Sequence, residues 1–502
     1  MIAGGFIEFY SWSKFVFTYS ELLTAEQVER THQASLQILA EVGMLVRNEK
    51  ARQIFARHGC QVDEETHLVR FPPQVVEEFR QMLPPRFVFR GRDEKYDKVL
   101  PDDSPVIVTA SSAPNIIDPI TGEERRSTSE DIARIAYLIN ELPGYDVFSI
   151  STLAEDAPPG YFTLARLYPA LKNCLKPVRS TATDLDDAQK VLELGALIAG
   201  DEQTYAQRPF ITHHFCPVVS PLTMDVASTE LTIFFAEKGL PVYPSIVPNG
   251  GLTSPMTLSG TLVQGNAEFL AAAILMQMVR PQTPLIYSTL PTIADMRTGA
   301  YASGGVECGM LHMAFAQMAR FYGVPCGGYI GLSNSKINDA QSGFETGISS
   351  TAALLGGANM LNMGGLLDAL KSFDFAKAVI DDEIAQMLKR IRRGMEFSEE
   401  NLALEVIAEV NPGGTFMTHK HTVKWMRKVA LMPRIADRDP REVWEKRGAL
   451  DAYQRAGQRA AEILAKPTPA LFSPEIEARI RAAFPQMVRG DVTPLHNGSA
   501  ND

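Results

Sequence analysis

Basic charge is in short supply in this 502-residue chain: 48 Lys and Arg stand against 59 Asp and Glu, for a formal net charge of -11. A nucleic-acid partner needs a basic face for its phosphates, so that class is excluded. Cysteine is scarce as well. The five (Cys60, Cys174, Cys216, Cys308 and Cys326) are odd in number and nowhere spaced as CxxC. That is the usage of reduced, buried thiols in a cytoplasmic protein, not of a disulfide scaffold. No unbroken apolar run reaches the roughly 20 residues of a membrane span. The opening MIAGGFIEFYSWSKFVFTYS is rich in aromatics but lacks a charged start, a clean apolar centre and a small-residue cleavage site. It therefore reads as an apolar arm packed on the body or on another subunit, not as a signal peptide.

Familiar catalytic signatures are also missing. There is no GxSxG, no HExxH, no HxH at a strand end and no Cys/His cluster, which leaves no serine-hydrolase or zinc-centre reading. No GxGxxG follows an early strand, which removes the dinucleotide fingerprint. His213 and His214 are adjacent, so in a strand they face opposite sides and cannot share an ion. His419 and His421 fall in the tail and read as surface or structural residues. Lys336 reads as the ion-pair partner of Asp339 before it reads as a Schiff-base lysine.

What is present is a rhythm. With 45% hydrophobic and 21% charged residues, the chain can bury a sizeable core. From residue 105, short β-rich runs recur at 106–112, 147–153, 178–183, 210–216, 242–247, 285–290, 326–332 and 359–364. Helical stretches separate them at 129–141, 160–172, 185–199, 222–238, 258–279, 304–322 and 341–356, and one more follows at 376–393. Strands alternating with helices at this spacing imply parallel pairing and right-handed crossovers. Eight units predict an α/β fold, a closed (β/α)8 TIM barrel, over 105–394. An N-terminal α+β extension (1–104) precedes it. A C-terminal helical extension (395–502) follows, with helices at 398–410, 418–431, 440–464 and 473–484 and a loose polar end from 489.

In such a barrel the loops after the strands face the active site. They carry Ser111, Ser112 and Asn115; Thr152; Thr183 and Asp184; His213, His214 and Phe215; Pro248 and Asn249; Thr292 and Asp295; and finally Asn362 and Asp368. One stretch concentrates polar features, GGYIGLSNSKINDAQSGFE from Gly327 to Glu345: a strand end, a polar loop and a helix start. Aromatics near the expected mouth (Phe215, Tyr243, Tyr287, Tyr301, Tyr329, Phe344), scattered amides and a few carboxylates (Asp295, Glu307, Asp339, Glu345) suit a small cation held by ring faces and negative charge. The residues alone thus describe a barrel enzyme for a small polar or cationic substrate.

SNSKINDAQSGFE, followed by Ala358-Asn359 and by Val379-Ile380-Asp381, resembles the trimethylamine methyltransferase family. Methanogen members of that family carry SDAKxxDxQAGxE, GAN and VIDN in the same order. Gly91-Arg92-Asp93, Cys216-Pro217 with Ser220-Pro221-Leu222, and Asn266-Ala267-Glu268 agree too, and the likeness spans about 21–480. The resemblance implies a barrel that takes a methyl group from a methylated amine and gives it to the Co(I) of a corrinoid on a separate protein. The chain lacks DxHxxG, the usual corrinoid-protein signature, so the resemblance implies no tightly bound cofactor and a corrinoid-protein partner.

One departure bears on the substrate. Leu332 stands where the trimethylamine enzymes place pyrrolysine, whose imine is thought to activate the amine. The non-pyrrolysine branch includes enzymes for glycine betaine and related betaines, and a quaternary ammonium already leaves as a neutral amine. The expected reaction is therefore demethylation of a quaternary, betaine-like amine by a cytoplasmic homo-oligomer. Tyr329, Phe344 and Tyr301 are expected to face the cation, and Leu332, Asp339, Gln341, Glu345 and Glu307 to shape the rest of the substrate site. No residue is assigned as a catalytic acid or base, and no metal ligand. Two alternatives stay open: a methyltransferase for a sulfonium or with a folate acceptor, and a non-catalytic barrel that binds a small cation.

Overall fold

The computed structural model describes residues 18–494. Most of the opening aromatic arm and the last eight residues lie outside that range. All eight expected barrel strands form: β1 Val106–Val108, β2 Phe148–Ser149, β3 Val178–Ser180, β4 Ile211–Phe215, β5 Val242–Ile246, β6 Tyr287–Thr289, β7 Cys326–Tyr329 and β8 Met360–Asn362. Each pairs in parallel with its successor from β2 to β8, and β8 pairs in parallel with β1. A parallel bridge between Val108 and Val147 closes the last seam. The fold is a closed (β/α)8 barrel, as the alternation predicts.

The strands are short and almost wholly buried because helices cover the outside while side chains fill the inside. The covering helices are α1 Ser129–Glu141, α2 Phe162–Asn173, α3 Leu185–Ala199, α4 Ala227–Glu237, α5 Leu258–Val279, α6 Val306–Tyr322, α7 Ala340–Gly356 and α8 Phe375–Arg392. Several start where short polar side chains can accept from their first free N–H groups: Thr128 on Asp131, Asp184 on Asp187, Asp339 on Ser342 and Asp374 on Lys377. The helix expected from 222 begins only at Ala227. Thr223–Met224 instead pairs with Val218–Val219 and with Met44–Val46 of the N-terminal extension, so the loop after β4 completes a sheet begun outside the barrel.

α5 is long and apolar enough to pass as a membrane span, yet 89% of its apolar window is buried inside the protein. The N-terminal helices Ala25–Gln37, Glu49–Arg57 and Pro73–Arg80 lie against it. Polar groups pin that junction. Asn266 Nδ2 donates to the Tyr322 hydroxyl (2.8 Å) and to Ser35 Oγ (2.9 Å), while the Tyr287 hydroxyl donates to Asn266 Oδ1 (2.7 Å).

In the tail, Ala452–Leu464 packs on α8 and α1, and Pro474–Ala483 packs on α3. The helix expected over 440–464 is two, Arg441–Lys446 and Ala452–Leu464, because Gly448 (φ 98°) and Ala449 (φ 52°) take left-handed conformations. The helix expected over 398–410 likewise breaks at Ala403 (φ 54°). The segment expected to be loose from 489 is tied to α2 as far as it is described. Asn173 Nδ2 donates to the Gly490 carbonyl (2.8 Å), and Lys172 Nζ pairs with Asp491 (2.7 Å).

Candidate functional site

A cavity of about 310 Å³ opens among the C-terminal ends of β1 to β4 and β7. Its floor is organised by one residue. Arg179, in the middle of β3, is buried and sends its guanidinium across the barrel. Nε donates to Ser149 Oγ of β2 (2.8 Å) and Nη1 to the Tyr243 hydroxyl of β5 (2.9 Å). Nη2 donates to Ser111 Oγ (3.0 Å) and to the Tyr329 hydroxyl of β7 (2.8 Å). The guanidinium carbon also lies 5.2 Å from the centre of the Tyr329 ring, a cation–π contact. Strand alternation explains why this works: residues pointing inward from several strands meet on the axis, and only a long, forked donor reaches them all.

A second guanidinium lines the same cavity. Arg166 comes from α2, and its Nε and Nη2 donate to the Thr152 carbonyl (3.1 Å), the Ile150 carbonyl (3.4 Å) and Ser112 Oγ (2.9 Å). Burial lowers its pKa to about 10, so it stays protonated at neutral pH. His214 faces the cavity from β4, near the Tyr243 and Tyr329 rings (5.1 and 6.2 Å). Burial, with Arg179 nearby, drives its pKa well below the ordinary value, so it is a neutral imidazole. The Cys216 thiol is pushed up to about 11 by burial and stays protonated. Among the described residues no carboxylate lines this cavity.

The expected site residues are dispersed around this centre. Tyr329 lines the cavity, its hydroxyl shared between Arg179 and Ser111 (2.7 Å). Tyr301 lies in a hairpin, Thr292–Asp295 with Ala300–Ala302, its buried hydroxyl beside Thr292. Leu332 is buried in the core just past β7 but does not border the cavity. Glu345 holds the β7–α7 loop: it accepts from Ser333 Oγ (2.7 Å), the Asn334 N–H (2.8 Å) and Gln341 Nε2 (2.9 Å). Glu307 stands half-buried in the first turn of α6.

Two expected substrate-site residues face elsewhere. Phe344 is 55% exposed on the outer face of α7, because the inner face is taken by Ser342, Thr346 and Ser350. Asp339 is exposed and caps α7, accepting from the Ser342 N–H (3.2 Å) and Ser335 Oγ (2.9 Å); these bonds hold its pKa down. The Lys336–Asp339 pair is also corrected. Lys336 pairs with Asp368 (3.3 Å), across the loop, since Asp339 is turned toward its helix.

The family-like motifs mostly build the frame. Asp381 accepts from the Gly365 N–H (2.9 Å) and from Lys377, which also reaches Thr346 Oγ1 (3.0 Å). Glu268 accepts from Ser220 Oγ (2.6 Å) and the Leu222 N–H (2.9 Å), fixing the loop after β4. His213 points away from His214, out of the barrel, and stacks on Phe235. Sequence reasoning missed Arg166 and Arg179. The available signal was a charge in the middle of an apolar strand, Val178-Arg179-Ser180.

A profile of the family described as trimethylamine methyltransferase matches residues 11–487. A glycine betaine methyltransferase of Desulfitobacterium hafniense (strain Y51) is 34% identical over 469 residues, 93% of this chain and 96% of its own. A trimethylamine methyltransferase of Desulfitobacterium hafniense (strain DSM 10664 / DCB-2) is 32% identical over 457 residues, 91% of this chain and 92% of its own. Among solved structures, the monomethylamine methyltransferase of Methanosarcina barkeri aligns with a TM-score of 0.49 at 12% identity, over 87% of this chain and 91% of that one.

Proposed function

The chain belongs to the trimethylamine methyltransferase family, and from that premise we propose that it moves a methyl group from a betaine-like quaternary amine to the Co(I) of a corrinoid carried by a separate protein. The observation that carries this reading is the protonation chemistry of the cavity. Its ionisable groups are two guanidiniums charged at neutral pH, a neutral imidazole and a neutral thiol beside the Tyr329 phenol. None is poised to hand a proton to a departing amine near neutral pH. A quaternary ammonium needs none, because it leaves as a neutral tertiary amine.

The corrinoid, when its carrier docks, supplies the electron pair that takes the methyl group. The chain's own residues bind and orient the substrate. His214, Phe215 and Tyr329 offer ring faces to the cationic head. The walls hold the substrate in one orientation and strip it of water, so that one methyl is presented to the open end. Among the described residues, no cluster of His, Cys, Asp or Glu is placed to hold a metal ion. The five free thiols support a cytoplasmic setting, and uncovered apolar side chains in the tail support a homo-oligomer.

The test is direct. Purified protein, a reduced corrinoid protein and a panel of betaines are mixed. Loss of the Co(I) absorbance is followed together with the demethylated amine by NMR. Turnover of at least one betaine is expected; no methyl transfer across the panel defeats the reading.

A further inference from the structure

Arg166 and Arg179 are two buried cations, 4% and 2% exposed, lining one cavity without an anionic partner. Arg179 is satisfied by neutral oxygens alone: two serine hydroxyls and two phenols. Arg166 is satisfied by two carbonyls and Ser112, with its guanidinium carbon 5.5 Å from the Phe162 ring centre; among the described residues Nη1 has no hydrogen-bond acceptor. The carboxylate whose charge acts on Arg166 is Asp187. It is already engaged by the Thr163 hydroxyl, the Thr183 N–H (2.9 Å) and the Thr183 hydroxyl (3.1 Å). Buried charge is costly unless it is paired. A fold that holds two such charges beside an open cavity, and places no carboxylate there, is built to receive an anion.

Resting on the methyltransferase reading above, we propose that this cavity is a carboxylate subsite. The substrate is then a zwitterion whose carboxylate is bound by the free Nη1 edge of Arg166 and by Ser112, in the positive field of Arg179. Its ammonium lies toward His214, Phe215 and Tyr329. The same field repels a simple cation of similar size, so the arginines select betaines against choline-like amines that lack an acid group. An Arg–carboxylate pair in a desolvated pocket is the strong, orienting kind of contact, and it fixes which end of the substrate faces the barrel mouth.

The proposal is tested by calorimetric titration of the full-length protein with 3,3-dimethylbutanoate, the uncharged-head isostere of glycine betaine. Competition follows with glycine betaine, choline and inorganic phosphate. The expected result is that dimethylbutanoate binds, betaine displaces it, and choline and phosphate do not. Arg166→Met should weaken its binding at least tenfold, with Arg166→Lys falling between the two; melting curves show which variants remain folded. The wild-type comparison needs no variant. Displacement by choline as effective as by betaine overturns the proposal, as does equal displacement by phosphate, or unchanged affinity in a folded Arg166→Met protein. The two readings fail separately. Demethylation of choline as fast as betaine sinks the carboxylate subsite and leaves the methyltransferase standing. Arg166-dependent binding without methyl transfer from any betaine does the reverse.

Discussion

His213 and His312 show at residue scale what this barrel does to an ionisable ring. His213 is buried against Phe235 with ring centres 3.6 Å apart, and among the described residues neither ring nitrogen has a hydrogen-bond partner. Burial lowers its pKa to about 3, and that of His312, whose Nε2 meets the Tyr329 carbonyl at 3.0 Å, to about 4. Both are therefore neutral in the native protein. Between those values and the unfolded value of about 6.5, the unfolded chain binds protons that the folded chain refuses. Stability is thus complete above that upper value and is lost as the pH falls through it, by about 1.4 kcal/mol per pH unit for each ring. Urea denaturation from pH 7.5 to 5 should show this slope. His213→Phe should remove one ring's share of it and, by deleting two orphaned polar atoms, raise stability at pH 7 by about 1–2 kcal/mol. An unchanged slope in that variant excludes His213 as a contributor. The arginines were hard to read from sequence for a related reason. A charge inside a strand is unusual, but whether it faces a helix or the barrel axis depends on which neighbours surround it. His213 and His214, adjacent and opposed, could be separated by strand alternation alone; Arg166, in a helix, could not be aimed that way.

The β7–α7 loop is the element on which the expected site was drawn, and its geometry rests on Glu345. A methyl group added at Gly304 would sit 2.5 Å from the Glu345 carboxylate, too close to be accommodated without displacing it. Gly304→Ala should therefore push Glu345 off Ser333 and Asn334, at a cost of about 1–3 kcal/mol. It should also speed hydrogen exchange at the amides of 333–339. In a Glu345→Ala background the same change should cost much less, because the clash is gone. A double-mutant cycle checks this, and additivity of the two substitutions would contradict the coupling. At this scale the sequence was most legible. Each barrel strand was found because a β-rich run ended in a polar or glycine break before a helical stretch, and side-chain caps at Thr128, Asp184, Asp339 and Asp374 mark four of those helix starts. The misreadings came where local chemistry was overridden: Thr223–Met224 became a strand because an N-terminal strand was there to pair with it, and Ala403 and Ala449 broke helices that their propensities favour. Asp339 and Phe344 were placed on the right loop and helix, but helix phase turned one into a cap and the other outward.

Over the whole molecule, the barrel and its N-terminal extension share one continuous apolar core, and part of the tail does not join it. Helices Glu399–Leu402, Leu404–Val410 and Lys420–Val429 bury none of their side chains. Met395, Phe397, Leu404, Ile407, Met417 and Val423 are each more than half exposed. Apolar side chains this concentrated are costly to leave in water and ordinarily mark a surface covered by another chain. Sequence periodicity gives such helices an apolar face but does not say what covers it, so the tail's helices and a homo-oligomer were expected while the particular residues left uncovered were not. If copies of this chain cover one another here, light scattering at micromolar protein should report a mass of two or more chains. Ile407→Asp with Val423→Asp should then convert the assembly to single chains, while the barrel, whose core these residues do not enter, keeps its circular dichroism. A wild-type protein that is monomeric by light scattering removes self-association as the explanation. The uncovered face is then left to a different chain, and the carrier of the methyl acceptor is the partner the proposed reaction already requires.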